Sequence, residues 1–114
     1  MSDCLFCKIV SGQIPARIVH QDEQSLGFAD IAPQAPTHVL FVPKRHIASV
    51  NEATVEDREL LGHLMFVAAK YARENGFAES GYRQVVNTNR DGGQTVFHIH
   101  LHLLGGRALA WPPG

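Results

Sequence analysis

From His98 to Leu104 the chain reads His98-Ile99-His100-Leu101-His102-Leu103-Leu104, an alternation that only an extended strand can sort into two faces. Residues two apart in a strand point the same way, so the spacing predicts three imidazoles on one side and Ile99, Leu101 and Leu103 on the other. Same-face Cα atoms then lie roughly 6.7 Å apart, close enough for the rings to interact. The apolar side needs a covering layer, and Thr54 to Glu74 supplies it. Leu60, Leu61, Leu64, Val67, Ala68 and Tyr71 recur there at helical spacing. Thr54 is placed to cap that helix, Glu56 and Asp57 suit its positive end, and Asn75-Gly76 forms a natural stop.

The remaining chain reads as short elements. Leu5 to Val10 predicts an N-terminal helical turn. Arg17 to His20 and Ser25 to Ala29 predict a hairpin turned at Asp22-Glu23. Asp30 to Pro36 is a loop in which Pro33 and Pro36 fix φ and remove donors, and His38 to Val42 follows as a strand. Tyr82 to Thr88 predicts another strand, and Asn89 to Gln94 a tight polar loop. The expected class is α+β: an antiparallel sheet of about five strands, a long helix on one face and a short N-terminal helix. A length of 114 residues suits one domain, 1–114.

Ten basic and eleven acidic residues leave a net charge of -1, which offers no electrostatic footprint for duplex nucleic acid or an anionic membrane. A phosphate-bearing ligand must be held by local donors. No apolar run approaches the ~20 residues of a membrane span, and Met1-Ser2-Asp3-Cys4 lacks the features of a signal peptide. A cytoplasmic location is expected, with Cys4 and Cys7 as reduced thiols or metal ligands. Their spacing is that of half a zinc site. It is equally that of two small residues buried on a turn, or of a redox motif without its usual βαβ surroundings.

Three of the seven histidines fall within five residues. They could be the polar face of an amphipathic strand, a metal trap or a catalytic site, with His38 as a fourth member. Imidazole, with an ordinary pKa of about 6.5, keeps a free lone pair on much of its population at neutral pH. That lone pair suits attack at phosphorus, provided the other nitrogen donates its proton to a fixed acceptor such as a backbone carbonyl. Gly92-Gly93-Gln94-Thr95, just upstream, is a sequence whose successive N–H groups and Thr95 hydroxyl could form an anion-binding hollow.

These residues resemble the signature of the histidine triad (HIT) superfamily, and the likeness extends to its histidine triad nucleotide-binding branch. Asp30-Ile31-Ala32-Pro33-Gln34-Ala35-Pro36-Thr37-His38 resembles that branch's nucleotide loop. Gly92 to Phe97 before the histidines, and Leu104-Gly105-Gly106-Arg107 with Trp111-Pro112-Pro113-Gly114 after them, are similar too. The resemblance implies a homodimeric purine nucleoside phosphoramidase acting on AMP-like substrates, its two sheets continuous across the dimer and its C-terminal tail near the partner's site. It implies that Asp30 holds the ribose, with Ile31 beside it. Leu5, Phe6, Ile14, Phe28 and Leu40 would form the base slot, and Asn87, Gly93, Gln94 and Thr95 would surround the α-phosphate. His100 would be the nucleophile, assisted by His102 and supported by His38 and His98. Some relatives hold structural zinc through such a cysteine pair and two histidines, here Cys4, Cys7, His46 and His98.

The expected chemistry is a covalent nucleotidyl-histidine, formed as a protonated amine departs and then cleaved by water, with no cofactor required for catalysis. Two other activities fit the same histidines: a dinucleoside polyphosphate hydrolase or nucleotidyl transferase, and a nucleotide-binding interaction module whose hydrolysis is incidental. The segment Arg107-Ala108-Leu109-Ala110, more apolar than in some relatives, leaves the preferred amine open.

Overall fold

The computed structural model describes residues 3–114; Met1 and Ser2, at the start of the stretch read for a signal peptide, lie outside the described residues. Helix α1, Leu5–Val10, precedes strands β1, Ile18–Gln21, β2, Ser25–Ala29, and β3, Thr37–Pro43. Helix α2, Arg58–Glu74, leads to β4, Tyr82–Val86; a short α3, Asn89–Gly92, leads to β5, Leu101–Gly105. The five strands form one antiparallel sheet in the order β1-β2-β3-β5-β4.

The alternation in β3 and β5 sorts their side chains between two layers. Val39, Phe41, Ile99, Leu101 and Leu103 pack with Leu60, Leu64, Val67, Ala68 and Ala72 of α2. Leu40 and Val42 face the other way, with Leu26, Phe28 and Phe6 of α1. The sheet is therefore covered on both faces, α1 guarding the smaller core. Full burial of side chains such as Leu64 and Leu101 contributes about 1.5–3 kcal/mol each. Gly27 sits opposite Phe41 in the register, and a Cβ there would come within 2.8 Å of the Phe41 ring. The glycine makes room for the aromatic ring.

Several boundaries differ from the sequence expectation. The ladder of β5 starts at Leu101, opposite Phe41, and leaves His98 to His100 outside the sheet, with His98 in a bend and its N–H donating to the Val96 carbonyl at 3.0 Å. Continuing that register would set Pro43 opposite Ile99, and proline has no N–H to donate. The Ile99 N–H instead donates to the Ile47 carbonyl at 2.8 Å. The long helix begins at Arg58, because Val55–Asp57 forms a 3₁₀ turn, a common start to an α-helix. Thr54 caps that turn, its N–H donating to Asp57 Oδ2 at 2.8 Å. Strand β4 ends at Val86 and not Thr88, and the polar loop contains the helical turn α3, closed by Gly93 at φ 83°.

Candidate active site

Where α1, the β2–β3 loop and the segment before β5 converge, a cavity of about 440 Å³ opens. Leu5, Phe6, Ile14, Phe28 and Leu40 form its apolar wall. Asp30 and the fully exposed Ile31 stand at its rim, and Thr95, His100 and His102 form its polar side. The Phe6 ring meets Phe28 and His100 edge-on, with centroids 5.4 and 5.0 Å away. The helical turn at the N-terminus thereby buttresses both the apolar wall and the central histidine.

Hydrogen bonds assign the ring tautomers. His100 Nδ1 lies 2.8 Å from the His98 carbonyl, which can only accept, so Nδ1 carries the proton and Nε2 keeps its lone pair. His38 Nδ1 accepts the Gln34 backbone N–H at 3.0 Å, which places the His38 proton on Nε2. That nitrogen lies 2.9 Å from His102 Nδ1 and 3.4 Å from Asp30 Oδ2. His102 Nδ1 is thus an acceptor, and the His102 proton resides on Nε2. A chain of three groups, the Gln34 amide, His38 and His102, ends in an N–H donor on a ring that lines the cavity.

Burial favours the neutral form of His102, His38 and His98. It pushes His102 down to about 4, with further lowering from the neighbouring His100 and His38 rings and a small opposing pull from Asp30. Burial likewise lowers His38, with the Asp30 carboxylate working against it. His98 is lowered by burial, although the Pro43 carbonyl that accepts its proton favours the charged form. The proximity of Asp30, His38 and His102 could suggest a metal site. A neutral His38 that accepts at Nδ1 has a proton and no lone pair at Nε2, so the arrangement is a hydrogen-bond relay.

The segment before the histidines differs from the anion-binding turn that its glycines suggest. The N–H groups of Gly93 and Gln94 close α3, donating to the Arg90 and Asn89 carbonyls at 3.0 Å each. The buried Gln94 side chain accepts the Asn89 N–H at 2.9 Å and donates to the Ala48 and Val96 carbonyls at 2.8 and 3.1 Å. Asn87, Gly93 and Gln94 do not line the cavity; of this group only Thr95 does. Gln94 acts as a latch between the α3 turn and the segment after β3.

Beneath His100, four ligand atoms converge. Cys4 Sγ lies 3.3 Å from His98 Nδ1, and Cys7 Sγ lies 3.4 Å from His46 Nδ1 and 3.6 Å from His98 Nδ1. The two imidazole nitrogens are 3.2 Å apart. Tetrahedral zinc with bonds of about 2.05 Å to nitrogen and 2.3 Å to sulfur sets its ligand atoms about 3.3–3.8 Å apart. His98 Nε2 donates to the Pro43 carbonyl at 2.8 Å, which leaves the Nδ1 lone pair facing the sulfurs. Donor types, spacing and tautomer all fit a closed four-ligand zinc site.

Sequence reasoning missed Gln34, whose contribution is a backbone amide without any residue-type signal. It also missed a polar cluster away from the cavity. Asp22 Oδ2 accepts from His20 Nε2, His63 Nε2 and Ser25 Oγ at 2.6, 2.8 and 2.8 Å. His63 comes from α2, so no local spacing could have announced it.

The HIT domain profile matches residues 11–109. The chain is 51% identical over 107 residues to the purine nucleoside phosphoramidase of Escherichia coli K12, covering 94% of this chain and 90% of that protein. It is 54% identical over 112 residues to an uncharacterised HIT-like protein of Synechococcus elongatus, covering 98% and 97% of the two chains. Among solved structures, a HIT family hydrolase from Legionella pneumophila Philadelphia 1 superposes with a TM-score of 0.96 at 55% identity, over 98% of this chain and all of that one. A histidine triad protein from Clostridium difficile gives 0.93 at 41% identity, over 96% of each chain.

Proposed function

Because this chain belongs to the HIT domain family, we propose that it hydrolyses purine nucleoside phosphoramidates, AMP-amines such as AMP-lysine among them, through a nucleotidyl-His100 intermediate. The observation that carries this reading is the fixed tautomer of His100, whose Nδ1–H is held by the His98 carbonyl while the Nε2 lone pair stays available on a cavity-lining ring. The name of the Escherichia coli relative supports the phosphoramidate as the substrate class.

The purine lies against the apolar wall that Phe6, Ile14, Phe28 and Leu40 form, and Asp30 accepts from the ribose hydroxyls with Ile31 over the sugar. Thr95 donates to the α-phosphate. His100 Nε2 attacks the α-phosphorus, and the phosphorus–nitrogen bond of the substrate breaks. The departing nitrogen needs one proton. The His38–His102 pair takes that proton from solvent, beside the Asp30 carboxylate, and delivers it from His102 Nε2. Water then cleaves the nucleotidyl-histidine, returns one proton to solvent and releases the nucleoside monophosphate with His100 neutral again. Each step exchanges one bond from phosphorus to nitrogen or oxygen for another, which keeps both barriers modest.

Three further features belong to this reading. A zinc ion held by Cys4, Cys7, His46 and His98 ties α1 to the segment before β5, and with four protein ligands it supplies structure and no open coordination position. A second copy of the chain pairs along β4, an edge strand that ends on the exposed Val86, with the exposed Met65 and Phe66 of α2 joining the interface. The protein works in the cytoplasm; no helix among the described residues is long and apolar enough to cross a membrane.

The test is His100→Asn, assayed with an adenosine phosphoramidate and with a dinucleoside polyphosphate. Turnover of the phosphoramidate falls about a thousandfold, and mass spectrometry of the unmodified protein, quenched at alkaline pH where a phosphorus–imidazole bond survives, finds one nucleotidyl group on His100. Surviving turnover overturns the nucleophile, and a strong preference for the polyphosphate overturns the substrate.

A further inference from the structure

The tail that follows β5 touches the loop that sets the His38 tautomer. Arg107 Nε donates to the Gln34 carbonyl at 3.0 Å, although 73 residues separate them in sequence. Immediately before it, Gly106 sits at φ 96°, and a Cβ on it would lie 2.8 Å from Pro36 Cβ. This close approach is an independent sign that tail and loop are built to dock. Gln34 is thereby pinned at three points. Its N–H donates to His38 Nδ1, its side-chain Nε2 donates to the Ala32 carbonyl, and its own carbonyl accepts from Arg107. The second bond lies within the loop and the first joins it to the start of the adjacent β3; the third ties residue 34 to the tail, far away in sequence.

We propose that Arg107 is a positioning residue for the proton relay: by holding the Gln34 carbonyl it fixes the amide that keeps His38 protonated at Nε2 and His102 protonated at its outward nitrogen. The catalytic half of this inference rests on the phosphoramidase reading; the positional half does not. Without the guanidinium, the Gln34 backbone gains freedom, its N–H no longer dictates the His38 tautomer, and His102 loses its fixed donor. The nucleotide cavity of the same chain is untouched, because Arg107 does not line it. Arg107 is exposed, so its replacement leaves the core intact.

The experiment compares the full-length protein with Arg107→Ala and Arg107→Lys. Three quantities are followed: histidine ¹⁵N spectra of the ligand-free protein, hydrogen exchange at the Gln34 amide, and kcat and KM for an adenosine phosphoramidate. In Arg107→Ala, His38 moves from one tautomer to a mixture and Gln34 exchanges faster. The kcat falls about tenfold, less than the full contribution of a general acid, and KM stays within about twofold. Arg107→Lys restores much of each change, since one donor suffices for one carbonyl. An Arg107→Ala protein with the His38 spectrum and Gln34 exchange unmoved overturns the proposal, whatever its activity. An altered tautomer with unaltered kcat overturns the catalytic half. If the tautomer shifts while even the unmodified protein turns over no phosphoramidate, the positional half stands and the substrate assignment falls.

Discussion

His38 Nε2 lies 2.9 Å from His102 Nδ1, and the direction of that hydrogen bond is dictated from outside the pair by the Gln34 amide. One backbone N–H thus decides which nitrogen of a ring on another strand carries a proton. The expected outcome of His38→Phe is a kcat for phosphoramidate hydrolysis lowered by about 10–100-fold with KM little changed, since the proton delivery is degraded and the nucleotide wall is not. Steady-state kinetics check this; a KM effect alone would assign His38 to substrate binding.

The low value of His102, about 4 through burial and its ring neighbours, makes folding depend on pH. A histidine lowered in the folded state contributes stability that is present above its unfolded value of about 6.5 and is lost as pH falls through the folded value. Urea unfolding between pH 7 and 4 should show this loss, and His102→Gln should flatten the slope across that window.

Asp22 joins the β1–β2 turn to α2 through His63. Burial alone would raise its carboxyl, but hydrogen bonds from His63, His20, Ser25 and the Gln24 N–H outweigh burial and hold it far below the usual carboxylate range. Its contribution is therefore present above about pH 4 and fades as the solution becomes more acidic. Asp22→Asn, which loses the charge and cannot accept from all of these donors, is expected to destabilise the fold by about 1–3 kcal/mol at neutral pH. Denaturant melts measure it, and phosphoramidate kcat should stay unchanged because the cluster does not line the cavity.

For the zinc site, metal analysis of protein purified without chelator is expected to give one zinc per chain. Cys7→Ser lowers that content and the melting temperature together. A variant that loses metal and keeps its full thermal stability would show that the ion does not brace α1.

Met65→Glu combined with Phe66→Glu is expected to weaken self-association by more than tenfold, since each buried side chain contributes about 1.5–3 kcal/mol to an interface. Sedimentation velocity across a concentration series reads this directly. A protein already monomeric at high concentration would remove the β4 edge as an interface.

The sequence revealed the parts of this fold that depend on side-chain type. The alternation from His98 to Leu103 sorts the residues between two layers even where the ladder has ended, because burial of Ile99 requires the alternation as much as pairing does. The helix stop at Asn75-Gly76 and the strand Ser25–Ala29 were legible for the same reason. Residues from four separate stretches, named from a resemblance, meet in one cavity. What could not be read is main-chain chemistry. The Gln34 amide, the Pro43 carbonyl and the Ile47 carbonyl are group types that every residue except proline's missing N–H provides, so only the folded path reveals which of them matter. The Gly-Gly pair misled in the same way: glycine permits a hollow of N–H groups, but here two of those groups close a helical turn.

His98 faces two centres at once, its imidazole toward the sulfurs and its carbonyl toward His100. The second duty belongs to the peptide unit and survives any substitution at this position; the first does not. Replacing the side chain therefore cuts the ring's ties to the sulfurs and to the Pro43 carbonyl and spares the peptide's, so a His98 variant reports how far the reactivity of the neighbouring ring depends on being anchored from below.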